Sequence, residues 1–216
     1  MRFHDRTDGG RQLASLLIPH ADRHDIVVLA LPRGGVPVAV EVARALGAPL
    51  DIFVVRKLGV PGHPELAMGA IATGGVQVLN DDVIDELDIP QALVEQATVR
   101  ERLELERRDR LYRGDRPTPL LTSRTVILID DGVATGSTME AAVSALRQHN
   151  PSRIIVAVPI GAKEACLRLE RVADDVVCAY TPTPFDAVGR WYERFDQVSD
   201  EEVMGWIQRL EARGWG

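Results

Sequence analysis

Two adjacent carboxylates, Asp130 and Asp131, follow a continuous apolar run and precede a short segment of glycine and hydroxyl residues. The apolar run, residues 125–129, is typical of a strand that is buried on both faces. Beyond the hydroxyl segment, apolar residues recur at helical spacing from Met139 onward. Backbone N–H groups at the start of such a helix have no intrahelical partner, and the helix dipole favours an anion there. This segment therefore predicts an anion site beside two hydrogen-bond acceptors.

The side chains of this segment indicate which anion would fit. Gly136 allows a phosphate to approach the main chain closely, and Thr135, Ser137 and Thr138 add hydroxyl donors. Ionised aspartates only accept hydrogen bonds, so the acidic pair suits a donor-rich partner such as a ribose diol. A Walker A loop would require a lysine after the glycine, and no Gly-x-Gly-x-x-Gly fingerprint is present. The alternative is an ordinary strand–turn–helix with a hydroxyl N-cap.

The segment 130–138, with the sequence DDGVATGST, resembles the ribose-phosphate signature of the type I phosphoribosyltransferases. The resemblance implies that Asp130 and Asp131 hold the 2′- and 3′-hydroxyls of phosphoribosyl diphosphate. It also implies that residues 134–138 hold the 5′-phosphate. With the sequences LPRGG and VRKLG, the chain is most similar to a bacterial phosphoribosyltransferase-like group.

Arg33, Gly34 and Gly35 follow a second predicted strand and precede a predicted helix, residues 36–46. Consecutive glycines allow neighbouring N–H groups to point at one anion, and Arg33 offers a bidentate fork. In the resemblance, this is the loop that binds pyrophosphate. The alternative is a tight strand-to-helix turn, because Gly-Gly turns are common.

Arg56 and Lys57 are expected to end the next strand, residues 50–55. They resemble cations of the orotate- and adenine-type enzymes, where such residues approach pyrophosphate, sometimes from the neighbouring subunit. A homodimer is expected on this basis. The alternative is a solvated basic strand end, because lysine and arginine are normally exposed.

The glycine- and proline-rich residues 59–65 lie where the family carries a mobile loop that closes over the reaction centre. Closure would exclude water, which otherwise captures the activated sugar. His63 or Glu65 could transfer a proton there. The alternative is a plain surface loop.

Aromatic residues are scarce in the chain but cluster near its end, at Phe185, Trp191, Tyr192 and Phe195. Stacked aromatic rings could cover an acceptor base. The alternative is ordinary packing, since tryptophan and tyrosine are mostly structural.

Alternating strands and helices predict an α/β fold with a doubly wound, mostly parallel sheet, whose ligands bind beyond the carboxyl ends of the strands. We expect a single domain, residues 1–216. It would contain an inserted charged helix, about residues 90–113, and a small C-terminal cover, about residues 181–216. A capping box, Ser199 with Glu202, predicts the start of the last helix.

The composition limits the possible function classes. The 216 residues carry a net charge of −7, which argues against nonspecific nucleic-acid binding. No apolar run approaches a membrane span, and the N-terminus does not have the pattern of a signal peptide. Cys166 and Cys178 both lie in apolar patterns and are expected to be core thiols. A cytoplasmic protein is therefore expected.

The resemblance implies an enzyme that uses phosphoribosyl diphosphate and transfers its phosphoribosyl group to a nitrogenous base, releasing pyrophosphate. Mg²⁺ is expected to be held mainly by the substrate, with Asp130 or Asp131 contacting it through water. The implied catalytic residues are Asp130, Asp131, Arg33, Lys57 and His63. The implied substrate site is Arg33, Gly34, Gly35, Arg56, Lys57, Asp130, Asp131, Gly132, Val133, Ala134, Thr135, Gly136, Ser137 and Thr138.

Ala134 stands where the 6-oxopurine enzymes carry an acid that serves the base, so the sequence leaves the identity of the acceptor base open.

Two alternatives to this enzyme remain. Regulators within the family keep the same loop, so a non-catalytic sensor of phosphoribosyl diphosphate would show the same motif. A phosphatase- or kinase-like protein with Asp130 as nucleophile fits the loop 135–137 poorly.

Overall fold

A computed structural model describes residues 2–21, 23–114 and 116–211 of the chain. The described helices are α1 (Arg6–Leu17), α2 (Gly35–Leu46), α3 (Asp81–Glu86), α4 (Gln91–Arg113), α5 (Ser137–Arg147), α6 (Lys163–Leu169) and α7 (Asp200–Glu211). The described strands are β1 (Ile26–Ala30), β2 (Leu50–Ile52), β3 (Val55–Val60), β4 (His63–Ala72), β5 (Val76–Leu79), β6 (Thr125–Ile129), β7 (Arg153–Ile160) and β8 (Asp175–Tyr180).

Five parallel strands form the central sheet, in the order β2-β1-β6-β7-β8. All residues of β1 and β6 are buried, as expected for strands that are covered on both faces. Along β1, Val28 packs into a core with α1 and α2, whereas Val27 and Leu29 pack into a second core with α5. The prediction of a doubly wound parallel sheet is therefore confirmed.

A second, antiparallel sheet of β3, β4 and β5 corrects two sequence predictions. The predicted strand 50–55 is divided: β2 ends at Ile52, and the chain leaves the parallel sheet before β3 begins. Arg56 and Lys57 therefore lie within β3 rather than at the end of a strand.

The loop predicted over residues 59–65 is instead a β-hairpin, because β3 continues to Val60 and β4 begins at His63. Closure of this segment over the reaction centre stays a prediction. Leu58 and Val60, two residues apart, face the core and are buried. This alternation stabilises the strand despite the local glycine and proline content. Only a tight turn at Pro61 and Gly62 remains outside the strands.

Helix α4 lies across β3 and β4 and also contacts α7. Its apolar face is narrow, with Val94, Ala97 and Leu105 buried. Charged side chains dominate the rest of the helix, although Val99 and Leu103 are also exposed. Glu104 pairs with Arg108 one turn later at 2.6 Å. The charged helix predicted at about residues 90–113 corresponds to α4.

Cys166 of α6 and Cys178 of β8 are joined in a disulfide, so the expectation of free thiols is wrong. The two sulfur atoms meet beside Gly161, where a Cβ atom would lie 2.6 Å from the Cys166 sulfur. The sequence separation of 12 residues does not reveal this convergence.

The capping box at α7 is confirmed: Ser199 Oγ accepts from the Glu202 N–H at 3.1 Å, and Glu202 accepts from the Ser199 N–H at 2.8 Å. None of the helices in the described ranges combines the length and the apolar character that a membrane crossing requires.

Candidate active site

The strand order of the parallel sheet places two sequence motifs side by side. Beyond β1 lies the loop with Arg33, Gly34 and Gly35, and beyond its neighbour β6 lies the acidic pair. The chain runs outward in opposite directions from β1 and β6, so this is the topological switch point, where ligands bind in open α/β sheets. Pro32 and Arg33 are joined by a cis peptide bond.

The two motifs are in direct contact at Gly34. A Cβ atom at this position would lie 2.0 Å from Asp131 Oδ2 and 2.6 Å from its Cγ. Gly34 has φ −61° and ψ −35°, which any residue can adopt, so the close approach of the carboxylate is what requires glycine here. The carboxylate of Asp131 therefore rests on the backbone of the Arg33 loop.

Arg6 of α1 is a site residue that the sequence analysis missed. Its Nε donates to Asp131 Oδ2 at 2.7 Å, and its Nη1 donates to the Asp196 carbonyl at 2.7 Å. The guanidinium lies 3.8 Å from the centre of the Phe195 ring. Only 11% of the Arg6 side chain and 15% of the Asp131 side chain are exposed. The separation of 125 residues left no local signal that could have indicated this pair.

The two carboxylates differ in their surroundings. Asp130 Oδ1 accepts from the Asp131 N–H at 2.8 Å. Burial, together with the neighbouring charge of Asp131, raises the pKa of Asp130 well above its usual range. Burial also raises the pKa of Asp131, although the Arg6 guanidinium opposes this effect. Holding both groups ionised therefore costs free energy.

The loop after the acidic pair has the features of an anion cradle. Gly136 has φ +84°, a left-handed conformation that other residues rarely adopt. Thr135 is exposed, and its Oγ1 lies 3.3 Å from Ser137 Oγ. Hydroxyl groups therefore surround the turn at which the backbone bends into α5.

The backbone N–H groups of residues 134–138 differ from those on either side of them. The Val133 N–H donates to Ile160 and the Glu140 N–H donates to Gly136. Within the part of the chain that the structure describes, no acceptor bonds the N–H groups of residues 134–138. These donors at the N-terminus of α5 can therefore bind an anion.

A cavity of about 790 Å³ joins three of the predicted pieces. The Arg33 loop contributes Pro32, the β3–β4 hairpin contributes Arg56 and Lys57, and α5 contributes Thr138. The described residues that line it are Pro32, Val55, Arg56, Lys57, Gly59, Val60, Pro61, Gly62, Leu93, Gln96, Ala97, Arg100, Glu101, Arg108 and Thr138. The acidic pair lies outside this lining, beside Gly34.

The remaining predicted residues lie around this centre. Arg33 is 3.6 Å from Asp200, and Arg56 donates to Glu101 at 2.6 and 2.9 Å. His63 is exposed at the start of β4 and does not line the cavity. The side chain of Glu65 lies outside the described residues. The proton-transfer roles of His63 and Glu65 stay predictions.

The C-terminal aromatic residues pack on one another. Tyr192 stacks on Phe195 at 5.0 Å between ring centres and contacts Phe3 at 5.4 Å. The buried Tyr192 hydroxyl donates to the Asp131 carbonyl at 2.6 Å, and burial raises its pKa. These contacts favour the packing interpretation, because the rings support the Arg6–Asp131 pair. Stacking on an acceptor base stays a prediction.

The acidic side chains of the site are the groups that could bind Mg²⁺. In the described residues, no cluster of three or more histidine, cysteine or acidic side chains could hold a metal ion. Mg²⁺ usually keeps several waters and is bound through one or two carboxylates together with substrate phosphates. Asp130 and Asp131 fit that donor set.

Residues 64–189, more than half of the chain, match the family model of the phosphoribosyl transferase domain. The chain belongs to the phosphoribosyltransferase family. A protein of Mycobacterium tuberculosis with the provisional name phosphoribosyl transferase is 48% identical over 207 residues, covering 96% of this chain and 46% of the relative. This chain thus spans about half the length of the curated relatives that it matches most extensively. The bifunctional protein PyrR of Brevibacillus brevis is 27% identical over 65% of this chain and 81% of its own length.

Two solved structures share the fold of this chain. The crystal structure of TT1426 from Thermus thermophilus superposes with a TM-score of 0.89, at 45% identity over 97% of this chain and 99% of that one. A hypoxanthine-guanine phosphoribosyltransferase from Bacillus anthracis superposes with a TM-score of 0.51 at 13% identity, covering 90% and 94% of the two chains. At this low identity, the second comparison shows the fold alone.

Proposed function

We propose that this member of the family is a phosphoribosyltransferase. It would use phosphoribosyl diphosphate with Mg²⁺ and transfer the phosphoribosyl group to a nitrogenous base. One observation carries the proposal: the Asp130–Asp131 pair, the Arg33 loop and the unpaired N–H groups of residues 134–138 meet at one switch point. We also propose a cytoplasmic homodimer.

Each part of the substrate has a matching part of the site. Asp130 and Asp131 accept hydrogen bonds from the ribose hydroxyls, and residues 134–138 bind the 5′-phosphate. The Gly34 N–H, with the cations Arg33, Arg56 and Lys57, binds the pyrophosphate, as the chemistry of these groups favours. The Gly35 N–H does not take part, because it donates to the Leu31 carbonyl at 3.1 Å. Bound Mg²⁺ would neutralise part of the pyrophosphate charge.

The reaction is a displacement at C1 of the ribose. The bond from C1 to the pyrophosphate oxygen breaks, and pyrophosphate leaves with the electron pair. The acceptor nitrogen forms the new bond to C1 with its lone pair, and a proton carried by that nitrogen is released to solvent. The ribose passes through an oxocarbenium-like transition state between the breaking of the old bond and the completion of the new one. The residues of the site accelerate this step by holding the sugar in place and by neutralising the leaving group.

A second candidate is a non-catalytic sensor of phosphoribosyl diphosphate. Two ion pairs favour it, because Arg33 lies near Asp200 and Arg56 is bonded to Glu101. Cations that are already paired with acids neutralise less of the charge that develops on the departing pyrophosphate, which slows turnover while still allowing the substrate to bind. Occupancy of the site would then control a partner.

Two measurements separate these candidates. Calorimetry with phosphoribosyl diphosphate tests binding, and a pyrophosphate-release assay with a panel of bases tests turnover. Binding with turnover on at least one base is expected. Binding without turnover on any base would favour the sensor, and no binding would contradict both candidates.

The hydroxyls of the phosphate cradle provide a direct mutational test. The double variant Ser137→Ala, Thr138→Val is expected to weaken phosphoribosyl diphosphate binding about tenfold to a hundredfold, because hydrogen bonds to charged groups are removed. Ser144→Ala is the control, since Ser144 lies on α5 beyond its first turns. Calorimetric affinity equal to that of the wild type in the double variant would contradict the cradle.

A further inference from the structure

One face of α4 forms a wall of the cavity. Its lining residues recur at helical spacing and are Leu93, Gln96, Ala97, Arg100, Glu101 and Arg108. The opposite walls come from the Arg33 loop and the β3–β4 hairpin. The volume of about 790 Å³ lies within the usual range of small-molecule sites.

The cavity is basic although the chain is acidic. The chain carries a net charge of −7, yet the described residues that line the cavity include four basic side chains, Arg56, Lys57, Arg100 and Arg108, and one acidic side chain, Glu101. A surplus of positive charge around a concave surface raises the local concentration of anions. The cavity therefore selects a ligand with several negative charges.

Arg100 and Arg108, the arginines of α4 that line the cavity, differ in their ion pairs and in their exposure. Arg100 donates to Glu101 at 3.1 Å but keeps 73% of its side chain exposed. Arg108 donates to Glu104 at 2.6 Å and is 27% exposed. Glu101 bonds Arg100 and Arg56 together, so it links α4 to the hairpin. Each arginine retains N–H groups that can bind phosphate oxygens in a forked arrangement.

We propose that Arg100 and Arg108 of α4 bind the pyrophosphate end of phosphoribosyl diphosphate, together with Arg56 and Lys57. This inference rests on the proposed function. It extends that function by assigning the leaving-group site to the charged helix as well as to the Arg33 loop. Glu101 acts as a positioning residue, because it holds Arg56 and Arg100 against the cavity.

Fragments of the substrate provide the test. The double variant Arg100→Gln, Arg108→Gln is expected to raise the calorimetric Kd for phosphoribosyl diphosphate and for inorganic pyrophosphate at least about tenfold. The Kd for ribose 5-phosphate, which lacks the pyrophosphate, should stay unchanged. Arg100→Lys with Arg108→Lys should restore part of the affinity, because the charge remains without the fork.

A matched control distinguishes binding from the general charge of the helix. Arg102→Gln with Arg110→Gln removes the same charge from α4, and neither residue lines the cavity or bonds Glu104, the partner of Arg108. This control should bind all three ligands like the wild type. Unchanged pyrophosphate affinity in the Arg100/Arg108 variant, or an equal loss in the control, would overturn the inference.

The outcome for the wild type separates this inference from the proposed function. If the wild type binds phosphoribosyl diphosphate and the Arg100/Arg108 variant binds it equally well, the helix has no role in binding and the proposed function stands. If the wild type does not bind phosphoribosyl diphosphate, the proposed function fails and this inference fails with it. Thermal unfolding of each variant shows whether the fold is retained.

Discussion

Gly34→Ala is expected to reduce phosphoribosyl diphosphate affinity by about a hundredfold or more. The new methyl group would lie 2.0 Å from Asp131 Oδ2, far inside van der Waals contact. Asp131 cannot move away without breaking its 2.7 Å bond to Arg6. The free energy of unfolding should also fall, by about 1–3 kcal/mol, as is typical of overpacked sites.

Calorimetry and thermal unfolding measure the two effects, and Gly205→Ala provides the control. Gly205 lies inside α7, and the nearest atom to an added Cβ is Arg209 Nη1 at 3.5 Å. Alanine should stabilise this helix by about 0.5–1 kcal/mol and leave binding unchanged. A Gly34→Ala protein that binds like the wild type would show that the Arg33 loop and the acidic pair do not form one site.

Asp130→Asn is expected to stabilise the protein while removing its ability to bind the ribose. The folded-state pKa of Asp130 is raised, because its carboxyl is buried beside Asp131. A raised carboxyl pKa means that the folded state is favoured when the group is protonated. Stability is therefore greatest below the ordinary aspartate pKa, about 3.9, and falls as the pH rises through the raised value.

Asparagine at position 130 removes this cost and can still accept the hydrogen bond from the Asp131 N–H. The raised pKa therefore predicts a higher free energy of unfolding for the variant than for the wild type at pH 7. Urea unfolding at several pH values should show a difference between variant and wild type that grows as the pH rises above about 4.

The expected loss of ribose binding in Asp130→Asn is compared with a control variant. Asp186→Asn changes an exposed aspartate away from β6 and should alter neither stability nor affinity substantially. If Asp130→Asn destabilises the protein at pH 7, the carboxylate contributes to the fold rather than costing free energy. If it binds phosphoribosyl diphosphate like the wild type, the assignment of Asp130 to the diol is wrong.

Sequence patterns predict the parallel sheet and the position of its loops because buried strands and amphipathic helices have strong local periodicity. The strand at residues 125–129, the glycine at position 136 and the capping box at Ser199 are all encoded within a few neighbouring residues. Residues 59–65 form a β-hairpin where a loop was predicted, because the structure there depends on contacts with the core rather than on neighbouring residues. There, core packing of Leu58 and Val60 outweighs local glycine and proline preferences.

The missed features depend on contacts between distant segments. Arg6 reaches Asp131 across the fold, Glu101 bonds Arg56, and Asp200 lies near Arg33. Nothing in the spacing of these residues along the chain indicates the pairs. The acid–base partners of the candidate site therefore required the three-dimensional structure, whereas the loop at residues 134–138 could be located from the sequence.

Phe3 ties the beginning of the chain to the segment that supports the acidic pair. Its N–H donates to the Trp191 carbonyl at 2.8 Å, and its own carbonyl accepts from the Glu193 N–H at 2.9 Å. Three residues later, Arg6 bonds both Asp131 and Asp196. A sugar that orders Asp131 should thereby slow amide hydrogen exchange near residues 3–6 and 191–196. Conversely, proteolytic cleavage near residue 196 should lower the affinity for the sugar.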